Sequence, residues 1–302
     1  MTAEKYTFPV NDGGFDAVFR EYRAIFEKQL RMVCDSFCDN GAKYKALYDA
    51  ASYSLEAGGK RIRPVLAFEM CRVCGGDIND AVPAAVAVEM IHTFSLIHDD
   101  LPCMDDDDMR RGRPSCHKAH GEAVALLAGD VLSAYAGKYI CDSDLSAEKK
   151  TAMIKELYDR TLGMIEGQTI DTDGKFDTLD GLLSMYEMKT SELLTAASVM
   201  GCIAAGADEE KISAARAYAH DVGLAFQIVD DILDVTSTVE ELGKPIGSDA
   251  QQEKTTSVTL LGLDKARELA KKYTEGAEKA LSAFENNEFL CRLTDLLLNR
   301  KN

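Results

Sequence analysis

The sequence predicts an all-α fold, with roughly ten or more helices in a single domain spanning residues 1–302. Apolar residues recur at helical spacing along almost the whole chain. No run of alternating β-branched residues indicates a strand, and no Pro-, Ser- or Gly-rich linker divides the chain. Hydrophobic residues are 46% of the chain and charged residues 28%, the balance of a globular protein with a sizeable core.

The first helix is predicted from Val18 to Phe37, where apolar residues keep helical spacing for about five turns. Similar segments follow, separated by clusters of Gly, Asp, Ser and Pro. The one that begins at 147 has a start signal, because Ser146 is a favourable N-cap residue, although Lys149 stands where a capping box has Glu and Glu148 lies one residue earlier. The predicted segments are 42–57, 61–74, 79–100, 120–141, 147–168, 178–205, 208–236, 261–284 and 288–299.

The amino-acid composition and net charge exclude some classes of function. The net charge of −17 argues against binding to nucleic acid or stable association with an anionic membrane, since both need a basic excess. The N-terminus has no charged-then-apolar signal pattern, and no stretch approaches the roughly 20 uninterrupted apolar residues of a membrane span. We therefore expect a cytoplasmic protein whose nine cysteines stay reduced. Cys71 and Cys74 form a CxxC pair, but a structural zinc site normally needs a second pair.

Two clusters of aspartates interrupt apolar helices. In "AFQIVDDILDV", Asp230 and Asp234 are four residues apart and share a helix face, with Gln227 one turn earlier. Asp231 is the third carboxylate of this cluster, and the residues around all three are apolar. Buried carboxylates cost several kcal/mol unless cations or hydrogen-bond donors accompany them. This helix therefore predicts a cation or partner close to its carboxylates.

The second cluster lies in "SLIHDDLPCMDDDDMRRGRP", where an apolar helix ends in Asp99 and Asp100. Pro102 disturbs the helix, so that Asp105 can turn back toward Asp99. Two such clusters facing each other across a cavity would hold divalent metal ions, and ligands that are all oxygen atoms suit Mg²⁺. An acidic run of this kind is also common as a solvated surface loop, although the spacing excludes an EF-hand calcium loop.

The chain resembles the trans-prenyl diphosphate synthases, the family of farnesyl and geranylgeranyl diphosphate synthases. Asp99-Asp100-x4-Asp105 followed by Arg110-Arg111 matches the first Asp-rich motif of that family, and Asp230-Asp231-x-x-Asp234 matches the second. "GGKRIRP" at 58–64, "EGQTID" at 166–171, "KTSELL" at 189–194 and "GKPIGSDAQQEKTT" at 243–256 match further blocks. One departure follows Lys254, where the family commonly has Thr-Tyr-Pro and this chain has Thr256-Ser257-Val258.

The resemblance implies an isoprenoid-synthase-type helical bundle around a deep central cavity. It also implies three Mg²⁺ ions, for which Mn²⁺ can substitute, held by Asp99 and Asp105 on one helix and by Asp230 on another. Asp100, Asp231 and Asp234 either support these ligands or act as alternates.

In the reaction of the family, an allylic diphosphate is ionised and condensed with isopentenyl diphosphate. The resemblance assigns the allylic diphosphate to Arg110, Lys189, Lys244 and Lys254. It places Thr190 and Gln227 beside the carbocation, although Thr and Gln inside helices are usually only packed there. Gln168 and Asp171 are carried over as further site residues.

For isopentenyl diphosphate the resemblance implies Lys60, Arg63, His92 and Arg111. Arg binds phosphate oxygens bidentately, which suits this role. On spacing alone, His92 is as well explained by a satisfied core histidine, and Lys60, Arg61 and Arg63 by a surface cluster at a helix start.

Product length is predicted from the residues before the first Asp motif. In the family, the residue five before the first Asp forms the floor beneath the growing chain, and here it is Phe94, followed by the small Ser95. We therefore expect a farnesyl diphosphate (C15) synthase that is a homodimer. The alternatives are a geranylgeranyl (C20) or geranyl (C10) diphosphate synthase, a terpene cyclase, a non-catalytic synthase subunit and a calcium-binding interaction protein.

Overall fold

The computed structural model describes residues 5–9, 14–38, 42–172, 174–236 and 254–298, and most of these are helical. The helices are α1 (Gly14–Cys38), α2 (Lys45–Leu55), α3 (Ile62–Val73), α4 (Ile78–Asp99), α5 (Cys116–His120), α6 (Glu122–Cys141), α7 (Ala147–Asp171), α8 (Leu179–Tyr186), α9 (Glu192–Ala205), α10 (Glu209–Thr236), α11 (Ser257–Leu261), α12 (Leu263–Leu281) and α13 (Glu288–Leu298). A 3₁₀ turn, Ala42–Tyr44, precedes α2, and a π-helical turn, Glu187–Ser191, joins α8 to α9. The all-α prediction is thus confirmed.

Most predicted segments match a helix to within a few residues. The predicted helix at 178–205 is wrong in one respect, since the π turn interrupts it. The predicted N-cap is confirmed, because the Ser146 hydroxyl accepts a hydrogen bond from the Lys149 N–H at 3.3 Å. A two-residue hairpin that the sequence analysis did not predict pairs β1 (Met109–Arg110) with β2 (Arg113–Pro114), and Arg111 in its turn has a φ of +54°.

Helix α4 is central to the packing and carries the first Asp motif at its C-terminal end. Its residues from Ile78 to Ile91 are almost all buried against α3, α6 and α9. Burial on all sides explains why the sequence of α4 is apolar all round. A second, smaller apolar cluster lies between α8, α10, α11 and α12, beneath the second Asp motif.

Among the described residues, α4 and α6 are long and apolar enough to span a membrane by length and composition. The apolar window of α4 is 78% buried within the protein, as expected of a core helix, while that of α6 is 39% buried.

Arg61 is buried, so the interpretation of Lys60, Arg61 and Arg63 as a surface cluster is wrong for this residue. Its Nε donates to Glu27 Oε1 and its Nη1 to Glu89 Oε1, both at 2.7 Å. Its Nη2 donates to the backbone carbonyl of Leu55, also at 2.7 Å. This network fixes the start of α3 against α1, α2 and α4.

The CxxC cysteines lie at the C-terminal end of α3. The buried Cys71 thiol donates to the Asp77 carbonyl at 3.3 Å, and the Cys74 sulfur lies 3.7 Å from that of Cys202 on α9. Both side chains thus contribute to the packing between α3 and its neighbours.

Candidate active site

The loop after α4 turns back on itself at the first Asp motif. The Asp105 N–H donates to the Asp99 carbonyl at 2.8 Å, so the reversal predicted at Pro102 is confirmed. Burial is the largest influence on the Asp99 carboxyl and raises its pKa to about 6; Lys189 lowers the pKa and Asp105 raises it. Asp99 therefore faces both a second carboxylate and a cation from the π turn. A divalent cation would relieve the repulsion between the carboxylates, and their oxygen atoms are the donors Mg²⁺ prefers.

Asp100 turns toward Arg110 within the same loop. Arg110 Nε donates to Asp100 Oδ1 at 2.8 Å, and its Nη2 donates to the same oxygen and to Asp107 Oδ2. Asp100 is buried, whereas Arg110 is partly exposed. In this state the guanidinium of Arg110 is paired with carboxylates on both sides, and Asp100 supports Arg110.

Arg63, His92 and Arg111 form a group of cationic and titratable side chains, in which Arg63 and His92 are partly buried and Arg111 is exposed. Burial lowers the pKa of Arg63, and repulsion from Arg111 lowers it further, against an opposing influence of Glu89. The pKa of His92 is held well below its ordinary value by burial, then by Arg63 and Arg111. Arg63 Nε is buried and has no hydrogen-bond partner among the described residues. Such a group fits an anion, because an anion would satisfy the unpartnered N–H and offset the mutual repulsion.

The guanidinium of Arg111 lies directly against Gly59. A Cβ atom at Gly59 would lie 2.8 Å from Arg111 Cζ, and the glycine has a φ of +124°. Arg111 also donates to the Gly58 carbonyl, and Arg23 Nη2 donates to the Gly59 carbonyl at 3.1 Å. Arg23 was missed by sequence reasoning, since nothing in its position on α1 singles it out. Lys60, the remaining predicted residue of this group, is exposed.

Lys189 and Thr190 lie in the π turn. Residues in a π turn are displaced from regular α-helical spacing, and such turns are frequent at functional sites. Lys189 Nζ contacts Asp171 Oδ2 at the end of α7, so these two predicted site residues meet. A cleft lies beside them, lined by Lys189, Asp171, Gln227, Asp231 and Lys254 among others.

The second Asp motif lies on α10, as predicted. Asp231 and Asp234 are buried and Asp230 is partly exposed. Asp231 Oδ2 accepts hydrogen bonds from Tyr186 Oη, from the Ser257 N–H and from Ser257 Oγ. Sequence reasoning missed both donors. Lys244 lies outside the described residues.

A further set of potential metal ligands lies next to the first Asp motif. Asp106, Asp108 and His117 each offer an atom, and these atoms lie within 4.8 Å of one another. Lys118 Nζ already pairs with Asp108 Oδ1 at 2.7 Å, which supplies this carboxylate with a cation.

Phe94 and Ser95 lie on different faces of α4. Ser95 Oγ donates to the His92 carbonyl at 2.9 Å, on the face that leads to Asp99. Phe94 is 8% exposed and packs edge-on against His98, with ring centroids 5.4 Å apart. His98 in turn contacts the Leu126 carbonyl of α6 at 2.9 Å. Phe94 therefore belongs to the side of α4 that faces α6.

Comparisons with known proteins identify relatives of this chain by sequence and by fold. The profile of the polyprenyl synthetase family matches residues 44–287. A chloroplastic geranylgeranyl pyrophosphate synthase of Catharanthus roseus is 46% identical over 79% of this chain and 69% of its own length. The heterodimeric geranylgeranyl pyrophosphate synthase large subunit 2 of Arabidopsis thaliana is 42% identical over 96% and 80%. The crystal structure of a geranylgeranyl pyrophosphate synthetase from Pyrococcus horikoshii superposes with a TM-score of 0.85 at 29% identity, covering 95% and 98% of the two chains.

Proposed function

The chain belongs to the polyprenyl synthetase family, and we propose that it is a trans-prenyl diphosphate synthase that condenses isopentenyl diphosphate with an allylic diphosphate. The observation that carries this proposal is the pairing of two different anion sites near one end of α4. One is the group of Arg63, His92 and Arg111, in which the buried Arg63 Nε has no hydrogen-bond partner among the described residues. The other combines Asp99 with Lys189, as a site for a diphosphate bound together with metal ions would require.

Ionisation of the allylic substrate breaks its C1–O bond, and the electron pair leaves with the diphosphate. Asp99, Asp105 and Asp230 would hold Mg²⁺, which when bound supplies positive charge at the leaving oxygen. Lys189 and Lys254 would bind the departing diphosphate, and such fixed charges lower the barrier because they match charge that develops in the transition state. Arg110 would exchange its contacts with Asp100 and Asp107 for phosphate oxygens.

The second diphosphate would lie against Arg63, His92 and Arg111, which orients the double bond of isopentenyl diphosphate toward the carbocation. The double bond then supplies the electron pair of the new carbon–carbon bond, and a proton leaves the adjacent carbon. The released diphosphate is the base that accepts this proton. The Gln227 side chain and the Thr190 hydroxyl would stabilise the cation by their dipoles until the bond forms.

We propose geranylgeranyl diphosphate (C20) as the product. The support is that the curated relatives with 42–46% identity described above carry that activity in their names. The farnesyl expectation depended on Phe94 as a floor. Phe94 packs against His98, and the helix places it about 140° round from Asp99, so it flanks the path below the metal site. Farnesyl diphosphate remains the second candidate, because a buried phenylalanine at this position can still narrow that path.

We propose a homodimer as the assembly. Less than half of the apolar window of helix α6 is buried within the protein, and Leu126 and Leu127 on this helix are 45% and 54% exposed. Helix α7 exposes Leu162 and Ile165 at 60% and 46%. Exposed apolar residues on two packed helices are typical of a subunit interface. Sedimentation of the wild type at micromolar concentration tests this, and a monomer there would contradict it.

The function is tested by incubating the purified protein with Mg²⁺, isopentenyl diphosphate and either dimethylallyl, geranyl or farnesyl diphosphate. We expect diphosphate release coupled to consumption of isopentenyl diphosphate, with a C20 product on mass spectrometry. A product that stops at C15 would select the second candidate. A hydrocarbon formed without isopentenyl diphosphate would indicate a terpene cyclase, and no turnover with any starter would refute the proposal.

A further inference from the structure

One carboxylate oxygen of the second Asp motif, on α10, is hydrogen-bonded to residues of α8 and α11, and we call this set of contacts the junction. Asp231 Oδ2 accepts hydrogen bonds from Tyr186 Oη at 2.7 Å, from the Ser257 N–H at 2.7 Å and from Ser257 Oγ at 2.6 Å. All three side chains are buried, with exposures of 6%, 5% and 0% for Asp231, Tyr186 and Ser257. A buried carboxylate with three donors on one oxygen is strongly held, because losing any donor leaves part of its charge unmet.

Each of the two donor residues stands next to a lysine of the proposed allylic diphosphate site. Tyr186 ends α8 and directly precedes the π turn that carries Lys189. Ser257 begins α11, three residues after Lys254. Both lysines line the same cleft, together with Tyr186 and Asp231. The junction thus joins the two walls of the cleft through α10.

The chain between Lys254 and Ser257 is fixed at a second place as well. The Thr255 N–H donates to the Gly174 carbonyl at 3.0 Å, and Thr255 Oγ1 accepts from the Phe176 N–H at 3.1 Å. These bonds attach the segment to the residues after α7. The bonds from Ser257 to Asp231 attach it to α10.

We infer that Tyr186 and Ser257 are positioning residues that act through Asp231 to hold Lys189 and Lys254 on opposite sides of the allylic diphosphate. This inference rests on the proposed function. It gives Asp231 a task that the sequence did not indicate, because its Oδ2 accepts hydrogen bonds from Tyr186 and Ser257. The departure of this chain from the family pattern at Ser257 therefore falls on a residue that touches the second Asp motif.

The test uses Tyr186→Phe and Ser257→Ala, each of which removes one hydroxyl and little else. Matched controls are Tyr218→Phe, which removes a buried phenol bonded to Thr294, and Ser198→Ala, which removes a buried hydroxyl bonded to the Leu194 carbonyl. Both controls lie outside the proposed site. The readouts are KM for each substrate, kcat, and the dissociation constant of inorganic diphosphate measured by calorimetry with Mg²⁺.

We expect each test variant to raise KM for the allylic diphosphate and the dissociation constant of inorganic diphosphate about tenfold, the typical effect of losing a hydrogen bond to a charged group. KM for isopentenyl diphosphate stays unchanged, and the controls change neither constant. In the double variant, the rise in each constant should be smaller than the product of the rises in the two single variants, because both hydroxyls act through one carboxylate.

Equal effects on the two substrates, or effects no larger than those of the controls, would overturn the inference. Should Ser257→Ala fail to fold, Tyr186→Phe alone decides the matter, since it retains the buried ring. The diphosphate measurement separates this inference from the proposed function. A wild type that binds diphosphate but performs no condensation would refute the function, while the ratios between variants still test the positioning role.

Discussion

Replacing Gly59 with alanine tests the site assigned to isopentenyl diphosphate. The new Cβ would lie 2.8 Å from Arg111 Cζ and 2.9 Å from its Nη1, closer than real Cβ contacts allow. The guanidinium must therefore move from its place beside Arg63 and His92. A charge-assisted hydrogen bond contributes about 1.5–3 kcal/mol, and about 1.4 kcal/mol corresponds to a factor of ten. We expect KM for isopentenyl diphosphate to rise about 10- to 100-fold.

Gly58→Ala is the matched control. Gly58 also has a positive φ, +83°, but no atom of the described residues lies within 4 Å of its Cβ position. Both variants strain the backbone, by about 1–3 kcal/mol for a non-glycine residue in this region, and both should lose stability in thermal unfolding. Only Gly59→Ala displaces Arg111.

The assay measures initial rates while each substrate is varied at saturation of the other. The expected outcome is a selective rise in KM for isopentenyl diphosphate in Gly59→Ala, with KM for the allylic substrate close to that of Gly58→Ala. If the two variants show the same constants for isopentenyl diphosphate, displacement of Arg111 has no consequence, and the assignment of this site to that substrate is refuted.

Three further predictions concern the metal and the chain length. Asp99→Ala should lower kcat at least about a thousandfold in steady-state assays, as expected for a lost transition-state contact. Asp106→Ala is the control and should have a small effect on kcat. Near-normal turnover of Asp99→Ala would contradict the metal assignment. Because burial raises the pKa of Asp99 to about 6, its carboxyl gains a proton as the pH falls through that value and competes with the metal. The Mg²⁺ concentration for half-maximal rate should thus be higher at about pH 5.5 than at about pH 7.5, and an equal requirement at both would argue against Asp99 as a ligand. Phe94→Ala should lengthen the main product by at least one isoprene unit on mass spectrometry with the first condensation unchanged, and an unchanged product would remove Phe94 from chain-length control.

Helical periodicity was enough to predict the position of most helices, because an apolar stripe at 3.6-residue spacing depends on sequence alone. The π turn at Glu187–Ser191 was not predictable in this way, because α9 after it is buried on nearly all sides and so has no apolar stripe whose shift would reveal the extra residue. Arg61 shows a second limit. It shares its residue type and segment with Arg63, yet it is buried because Glu27 and Glu89, 34 and 28 residues away, converge on it.

The active-site residues could likewise be predicted where the signal is local in sequence, and could not be predicted where it depends on contacts between distant residues. The Asp motifs are contiguous in sequence, and the reversal at Pro102 could be predicted from proline geometry. The contacts of Tyr186 and Ser257 with Asp231 join residues 45 and 26 positions apart, and no local pattern indicates them. The side of α4 that Phe94 faces follows from the helical wheel, which places it about 140° round from Asp99.

The π turn between α8 and α9 also bears on how this segment can change by insertion and deletion. A π turn contains one residue more than the α-helical turn it replaces, so deleting a single residue there would restore a regular helix and keep α9 in place. Lys189 would then rotate by about 100° relative to α8 and leave the cleft. Chains that differ by one residue in this stretch should therefore be aligned separately on each side of the turn, because a gap placed elsewhere would pair the lysine with a residue on another helix face.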